Sequence, residues 1–189
     1  MRRRSFLRVA ASVVPAAGLQ EMLTRELFAQ SAASPSTALH VLGAGEDRLG
    51  HTVALPFSPS LAFKVVGDET GGGLFLIEHN HLLPGGPPLH LHLNQEEWFY
   101  VMEGEVALQV GEQRVKLHAG ESVLAPRRIP HTFSSVGPSP ARMLIAFCPA
   151  GKMEQYFRGV EKDPKAAGDA EFVRRCEMEL VGPSPFWKS

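Results

Sequence analysis

Short apolar runs separated by turn residues dominate the chain from about Leu39 to Pro149. Segments such as LAFKVV, LFLIEH, EVALQV and ARMLIAF are bounded by glycine, proline or polar clusters. Strands of about four to eight residues joined by tight turns produce this pattern. We therefore predict an all-β sandwich or small barrel, in which Gly104, Gly111 and Gly120 mark the corners between strands.

The pattern changes after Gly151, where KMEQYFRGV and DAEFVRRCEMEL carry apolar residues at helical spacing. One or two C-terminal helices are predicted, followed by a tail whose Phe186 and Trp187 either dock on the barrel or meet another subunit. The predicted organisation is an export signal with the start of a linker at 1–33, a β-barrel at 34–150, and a helical extension with the tail at 151–189.

The N-terminus reads as a targeting segment, since an arginine cluster precedes a short apolar run in MRRRSFLRVAASVVPAAGLQ. The run is too short and too interrupted to span a bilayer comfortably. Arg3 and Arg4, followed by SFLR, resemble a twin-arginine export signal. The resemblance implies transient contact with the twin-arginine export machinery, processing near residues 29–33, and a periplasmic or secreted protein.

Charge and cysteine content bear on two further questions, a nucleic-acid partner and a disulfide. The formal net charge is -1, and the first thirty residues contribute five Arg against two Glu, so the remainder is acidic. Nothing in this distribution indicates a nucleic-acid partner. The chain has two cysteines. We expect Cys148 to be a buried free thiol and Cys176 to lie in a helix, rather than a disulfide between them.

Two histidines stand one residue apart in PLHLHLNQEEWFY, residues 88–100. Alternate residues of a strand share a face, so His90 and His92 project together. The same alternation brings one carboxylate toward them, Glu97 in our interpretation, with Glu96 as the alternative. A buried glutamate beside two imidazoles is costly unless a cation compensates it, and a divalent metal is the usual solution. A third ligand is available in GESVLAPRRIPHTF, where a proline-framed turn leads into His131.

The segments that contain His90 and His131 resemble the two sequence motifs of the cupin family. His90, His92, Glu97 and Gly104 match the first motif, and the second motif is matched by Gly120, Pro126 and His131. Two positions depart from the second motif, because Arg128 stands where the family has Gly and Ser135 where it has Asn. The resemblance implies a cupin double-stranded β-helix, or jelly-roll barrel, with the metal inside one mouth. A barrel with a metal-free polar pocket is the alternative.

Three imidazoles and one carboxylate without thiolate suit Fe, Mn, Ni, Co or Zn, and the sequence does not choose among them. Our first hypothesis is a metal-dependent dioxygenase acting on a small phenolic or enol substrate, with Glu97 also serving as the catalytic proton acceptor. The alternatives are a non-catalytic small-molecule binding cupin and a metal-dependent isomerase or hydrolase that uses no oxygen. A homo-oligomer, possibly a dimer, is also expected.

The remaining candidate residues receive simpler interpretations. His79 and His81 share a face by spacing, and we expect them to line the pocket rather than bind the metal. Surface or turn positions are predicted for His40, His51 and His118. Arg127 and Arg128 either attract a carboxylate or phenolate at the mouth or are simply solvated. Four further residues are expected to form either the pocket wall or plain core: Phe99, Phe133, Met143 and Phe147.

Overall fold

The structure, a computed structural model, describes residues 39–187. The predicted export signal and its processing site lie outside the described residues. Within residues 39–187 there are eleven β-strands, two α-helices and two short 3-10 helices. No helix in this part of the chain is long and apolar enough to cross a membrane.

Ten of the eleven strands of the described chain lie within residues 34–150, the region predicted to be a β-barrel, and the eleventh lies in the C-terminal extension. Their bounds are β1 Val53–Leu55, β2 Ser58–Val65, β3 Phe75–Leu82, β4 Leu89–His92, β5 Glu96–Glu103, β6 Glu105–Val110, β7 Gln113–His118, β8 Ser122–Ala125, β9 His131–Ser135, β10 Ala141–Cys148 and β11 Met178–Gly182. The helices are α1 Met153–Lys162 and α2 Ala170–Arg175, and the 3-10 helices are Gly67–Thr70 and Pro164–Gly168.

Two antiparallel sheets form the barrel. One has six strands in the order β1-β2-β3-β10-β5-β8, and the other has five in the order β11-β4-β9-β6-β7. This confirms the predicted all-β fold, a double-stranded β-helix or jelly roll, with two C-terminal helices. Gly104, Gly111 and Gly120 lie at the predicted corners, each with a positive φ.

The core lies between the two sheets because the strands alternate in burial. In β10 the residues Ala141, Met143, Ile145 and Phe147 are buried, whereas the residues between them are only partly covered. Residues of this kind remove apolar surface from water, which is the main favourable term in folding. Phe99 and Met143 are completely buried within this core.

An irregularity in β3 separates His79 from His81. Met143 pairs with His79 and Ala141 pairs with Leu82, so β3 contains one more residue than β10 across this interval. Such a bulge interrupts the alternation of side chains. His79 is therefore buried while His81 is exposed, and the prediction that both line the pocket is wrong for His81.

The C-terminal segment contributes a strand as well as helices. The EMEL sequence, which we predicted as part of a helix, instead enters β11 at Met178. This strand pairs with β4, placing Met178 opposite His92 and Leu180 opposite His90. The local spacing suits a short helix through Arg175, but pairing with β4 outweighs it beyond that point.

Both cysteines are free, although not in the surroundings we predicted. Cys148 is exposed because it ends β10 on the face that alternates away from the core. Its Sγ lies 3.4 Å from the carbonyl oxygen of Gly73. Cys176 is buried and directly follows α2 as its C-cap rather than lying within the helix.

Candidate metal centre

Four side chains from three strands converge between the two sheets. His90 and His92 come from β4, Glu97 from β5, and His131 from β9. His90 and His131 are direct cross-strand partners. One ligand atom from each of the four residues lies within 4.8 Å of all the others, and His92, Glu97 and His131 are buried.

Backbone carbonyls orient two of the imidazoles. The Nδ1 atom of His90 lies 2.8 Å from the carbonyl oxygen of Pro88. The Nδ1 atom of His131 lies 2.8 Å from the carbonyl oxygen of Ile129. Each carbonyl accepts a hydrogen bond from Nδ1–H, which leaves Nε2 as the ring nitrogen available to a metal.

His92 gives the clearest sign that the cluster suits a cation. Its Nε2 lies 2.9 Å from Oε2 of Glu97, yet neither ring nitrogen makes a hydrogen bond of acceptable geometry within the described chain. Buried polar atoms are normally satisfied. An imidazole nitrogen held beside a carboxylate without a hydrogen bond fits a ligand whose partner is a metal ion.

Burial and mutual proximity determine the protonation of the cluster. Burial, together with the neighbouring His131 and His92, lowers the pKa of His90 to about 3. Burial alone would raise the pKa of Glu97, but the hydrogen bond with His131 and the proximity of the His131 and His92 imidazoles outweigh it, and the pKa is lowered. Burial would lower the pKa of His131, but the hydrogen bond to Glu97, 2.7 Å long, raises it. The site thus combines a neutral imidazole with a charged carboxylate, as a divalent cation requires.

Glu96 points away from this cluster. It lies on the opposite face of β5 and accepts two hydrogen bonds from the Arg127 guanidinium. The alternative in which Glu96 replaces Glu97 as a ligand is therefore wrong. The same pairing holds Arg127 outside the pocket, so of its two alternatives the structure favours the solvated arginine.

The turn before His131 accommodates the departure from the cupin motif at Arg128. Arg128 has a φ of 65°, in the left-handed region that favours glycine. Its backbone N–H donates to the carbonyl oxygen of His92 over 2.7 Å. The turn therefore keeps a glycine-like conformation and connects the chain before β9 to the end of β4. At the second departure, Ser135 is buried and its Oγ has no hydrogen-bond partner in the described chain.

A cavity of about 390 Å³ opens onto three of these residues, His90, His92 and Glu97. Its wall is largely aromatic and aliphatic, and within the described chain no Lys or Arg side chain lines it. Phe133 and Phe147 belong to the wall as expected, whereas Phe99 and Met143 belong to the core. The principal apolar side chains of the wall are Phe57, Phe133, Ile145, Phe147, Met153, Phe157 and Met178.

The C-terminal segment supplies part of the wall that sequence reasoning missed. Tyr156 lines the cavity from α1, and burial raises the pKa of its hydroxyl. Trp187 also lines the cavity, and its indole N–H donates to the carbonyl oxygen of Gly86 over 3.2 Å. Trp187 therefore docks on the barrel, which was one of the two alternatives for the tail. Its proline-rich surroundings gave no periodic signal that would have placed it at the pocket.

The other histidines mostly follow their predictions. His40, His51 and His118 are exposed. His79 lines the cavity without belonging to the four-residue cluster.

Comparisons with known proteins agree with this architecture. Residues 79–147 match the family model described as a cupin domain. An uncharacterized protein of Methanocaldococcus jannaschii is 26% identical over 61 residues, which are 32% of this chain and 49% of that protein. The chain thus spans about half the length of this curated relative.

Among solved structures, a Thermus thermophilus protein is 32% identical, with 41% of this chain and 74% of that chain covered and a TM-score of 0.37. An uncharacterized Klebsiella pneumoniae protein with a double-stranded β-helix domain is 16% identical, with 60% and 92% covered and a TM-score of 0.47. The polyketide cyclase RemF of Streptomyces resistomycificus is 18% identical, with 59% and 80% covered and a TM-score of 0.47.

Proposed function

We propose that the protein is a metal-dependent oxygenase acting on a small phenolic or enol substrate. The match of residues 79–147 to a cupin domain supports this proposal. The observation that carries this proposal is the position of the His90, His92, Glu97 and His131 cluster beside an apolar cavity. The metal is one divalent ion of the group Fe, Mn, Ni, Co or Zn, and the donor set of three imidazoles and a carboxylate suits each of these.

A divalent ion held by these four groups would supply Lewis acidity to a small molecule bound in the cavity. The protein contributes the surroundings. The aromatic wall excludes water and offers flat surfaces to an aromatic substrate, as expected of a small-molecule pocket of this volume. The Tyr156 side chain lines the cavity, and its hydroxyl can donate to a substrate oxygen.

The charge of the cavity favours one substrate class over another. With no Lys or Arg in the described lining, a dicarboxylate such as oxalate would lack a cationic side chain to pair with. A divalent ion offset by the Glu97 carboxylate leaves one net positive charge, so a buried dianion would keep one negative charge unpaired, which is costly. A neutral phenol or enol instead places its apolar body against the wall and its hydroxyl near Glu97.

We assign Glu97 a second role as the acceptor of the substrate hydroxyl proton. Its Oε2 lies close to both His92 and His131, so a proton taken up at the carboxylate has two imidazole neighbours able to share it. The Glu97→Gln variant retains the shape of the side chain but loses its charge. We expect this variant to lose at least about a hundredfold in kcat, the contribution that a positioned acid or base commonly makes.

Oxygen uptake tests the proposed reaction directly. Protein loaded with each metal in turn is mixed with flavonols, acireductone-like enediols and oxalate in an oxygen electrode. We expect uptake with at least one metal and one phenolic or enediol substrate, and none with oxalate. Turnover without uptake would instead favour the isomerase or hydrolase alternative, and binding without turnover would favour a non-catalytic cupin.

The ligand assignment is tested separately by His92→Ala, with His118→Ala as the matched control at an exposed histidine. Elemental analysis should show one metal per chain in the wild type and in the control. The His92→Ala variant should retain little metal and no activity, because three donors cannot hold the ion as tightly. Full metal stoichiometry in His92→Ala would contradict the assignment.

We also propose export by the twin-arginine route. This proposal is supported by Arg3, Arg4 and the following SFLR sequence. Replacing both arginines with lysine should leave the protein in the cytoplasmic fraction, whereas the unchanged chain should reach the periplasm.

A further inference from the structure

His79 is a polar residue of the cavity wall that the four-residue cluster does not use. Its side chain is buried, yet it lines the cavity. The ring packs against two aromatic side chains that also contact each other, with its centroid 6.2 Å from that of Phe57 and 5.6 Å from that of Phe133. The imidazole is therefore part of an aromatic cluster in the apolar wall.

A buried serine fixes the orientation of this ring. The Nδ1 atom of His79 lies 2.7 Å from Oγ of Ser58, and Ser58 is itself buried. Since Nδ1 is engaged, Nε2 is the nitrogen left for another partner. Within residues 39–187 no side chain or backbone group hydrogen-bonds to Nε2.

The electrostatics leave this imidazole uncharged at neutral pH. Burial lowers the pKa of His79 to about 4, although the charge of Glu97 acts in the opposite direction. In a neutral imidazole one nitrogen donates and the other accepts. Whichever tautomer Ser58 selects, Nε2 offers one hydrogen bond to a group in the cavity.

We propose that His79 is a substrate-contacting residue, which hydrogen-bonds a hydroxyl or carbonyl oxygen of an aromatic ligand, and that Ser58 is its positioning residue. The inference rests on the proposed function for the class of ligand. It narrows that class to an aromatic or enol body carrying at least two oxygen substituents. One of these oxygens reaches the four-residue cluster, and the other reaches Nε2 of His79.

The proposed hydrogen bond between His79 and the second ligand oxygen would let the pocket distinguish ligands by their number of hydroxyl groups. A site that hydrogen-bonds a substrate hydroxyl discriminates strongly against an analogue lacking it, because a buried polar group is then left unpaired. We expect dihydroxy aromatic ligands to bind more tightly than their monohydroxy analogues. Removing the His79 imidazole should erase most of that preference.

The test uses 4-nitrocatechol, whose absorbance reports binding, titrated into the full chain loaded with Zn and into chelator-treated protein. His79→Leu removes the hydrogen bond and retains an apolar side chain of similar size. The matched control is His81→Leu, because His81 lies two residues along the same strand but is exposed. His79→Gln restores a hydrogen-bonding group near the position of Nε2.

We expect His79→Leu to weaken 4-nitrocatechol binding about tenfold or more, His79→Gln to recover most of the affinity, and His81→Leu to bind as the wild type does. Metal content should be equal in all four proteins. Equal affinity for the wild type and His79→Leu would overturn the inference. Failure of the wild type to bind the probe at all would overturn it as well.

The positioning role of Ser58 is tested by a separate measurement. In Ser58→Ala we expect weaker probe binding together with a change in the nitrogen-15 chemical shifts of the His79 ring, which distinguish the two tautomers. Unchanged shifts would show that Ser58 does not position the imidazole.

The two metal states separate this inference from the proposed function. If metal strengthens probe binding but His79→Leu does not weaken it, the inference is wrong and the proposed function stands. If His79→Leu weakens binding equally in both states and metal has no effect, His79 contacts the ligand but the metal-dependent function is contradicted.

Discussion

Arg128 carries a local strain that the rest of the turn sustains. A side chain in the left-handed region costs about 1–2 kcal/mol relative to the right-handed conformation. The residue nevertheless occupies it with a φ of 65° because its N–H donates to the carbonyl oxygen of His92. The conformation of a single residue thus helps to hold the end of the ligand-bearing strand β4.

This conformation predicts the effect of Arg128→Gly. Glycine removes the strain but increases the entropy of the unfolded chain, which offsets part of the gain. We expect the free energy of unfolding to rise by up to about 1 kcal/mol, measured by urea denaturation. Arg127→Gly is the control, because Arg127 does not have a positive φ. A comparable gain in the control would contradict this explanation.

At the scale of elements, the loop between β3 and β4 is shaped by close backbone approach. Gly86 has a φ of 70°, and a Cβ atom at this position would lie 1.7 Å from the carbonyl oxygen of Phe133 in β9. The Gly86 carbonyl also accepts the hydrogen bond from Trp187. One loop thereby joins the strand of His131, the cavity wall and the C-terminal tail.

We therefore expect Gly86→Ala to be severely destabilising, by about 3 kcal/mol or more, because the backbone of β9 must move as well as the loop. Gly120→Ala is the matched control. Gly120 also has a positive φ, of 90°, but a Cβ there would meet nothing within 4 Å. In the control the free energy of unfolding should fall by only about 1–2 kcal/mol, because alanine disfavours a positive φ but meets no steric clash there. Equal losses by thermal or urea denaturation would show that the contact with Phe133 is unimportant.

At the scale of the whole molecule, the candidate metal centre joins the two sheets. His90, His92 and His131 belong to the five-stranded sheet, and Glu97 belongs to the six-stranded sheet. A cation at this position therefore links both halves of the barrel. Because the ligands adopt this arrangement only in the folded chain, metal binding adds to folding stability.

Removal of the metal should consequently lower Tm. At a free metal concentration of one hundred times Kd the expected stabilisation is about 2.7 kcal/mol. For a chain of this size that corresponds to a change in Tm of roughly 5–10 °C. Differential scanning calorimetry before and after chelation measures this change, with chelator-treated His92→Ala as a control that should not shift further. Indistinguishable Tm values for the loaded and stripped wild type would contradict a metal shared between the sheets.

The expected homo-oligomer also belongs to the scale of the whole molecule. Light scattering on the purified protein measures it directly. A mass equal to that of one chain across the concentration range would contradict the expectation.

The sequence by itself determined the β architecture and the convergence of His90, His92, Glu97 and His131. The β architecture and the shared face of His90, His92 and Glu97 depend on local rules, because side chains alternate along a strand. The inclusion of His131 came from the resemblance to the cupin motifs. The same alternation favoured Glu97 and left Glu96 open as the alternative, and the structure places Glu96 on the opposite face of β5. The prediction of a buried Cys148 was wrong because it relied on the apolar run MLIAFC, which does not reveal which residues face inward.

Only the tertiary structure decided the composition of the cavity. Ser58 meets His79, Tyr156 reaches the pocket from α1, and Trp187 reaches Gly86 across 101 positions of the chain. The bulge that turns His81 outward and the pairing of β11 with β4 likewise depend on neighbouring strands. Contacts between distant segments arise from packing and hydrogen bonding in the folded chain, and no local pattern of residues encodes them.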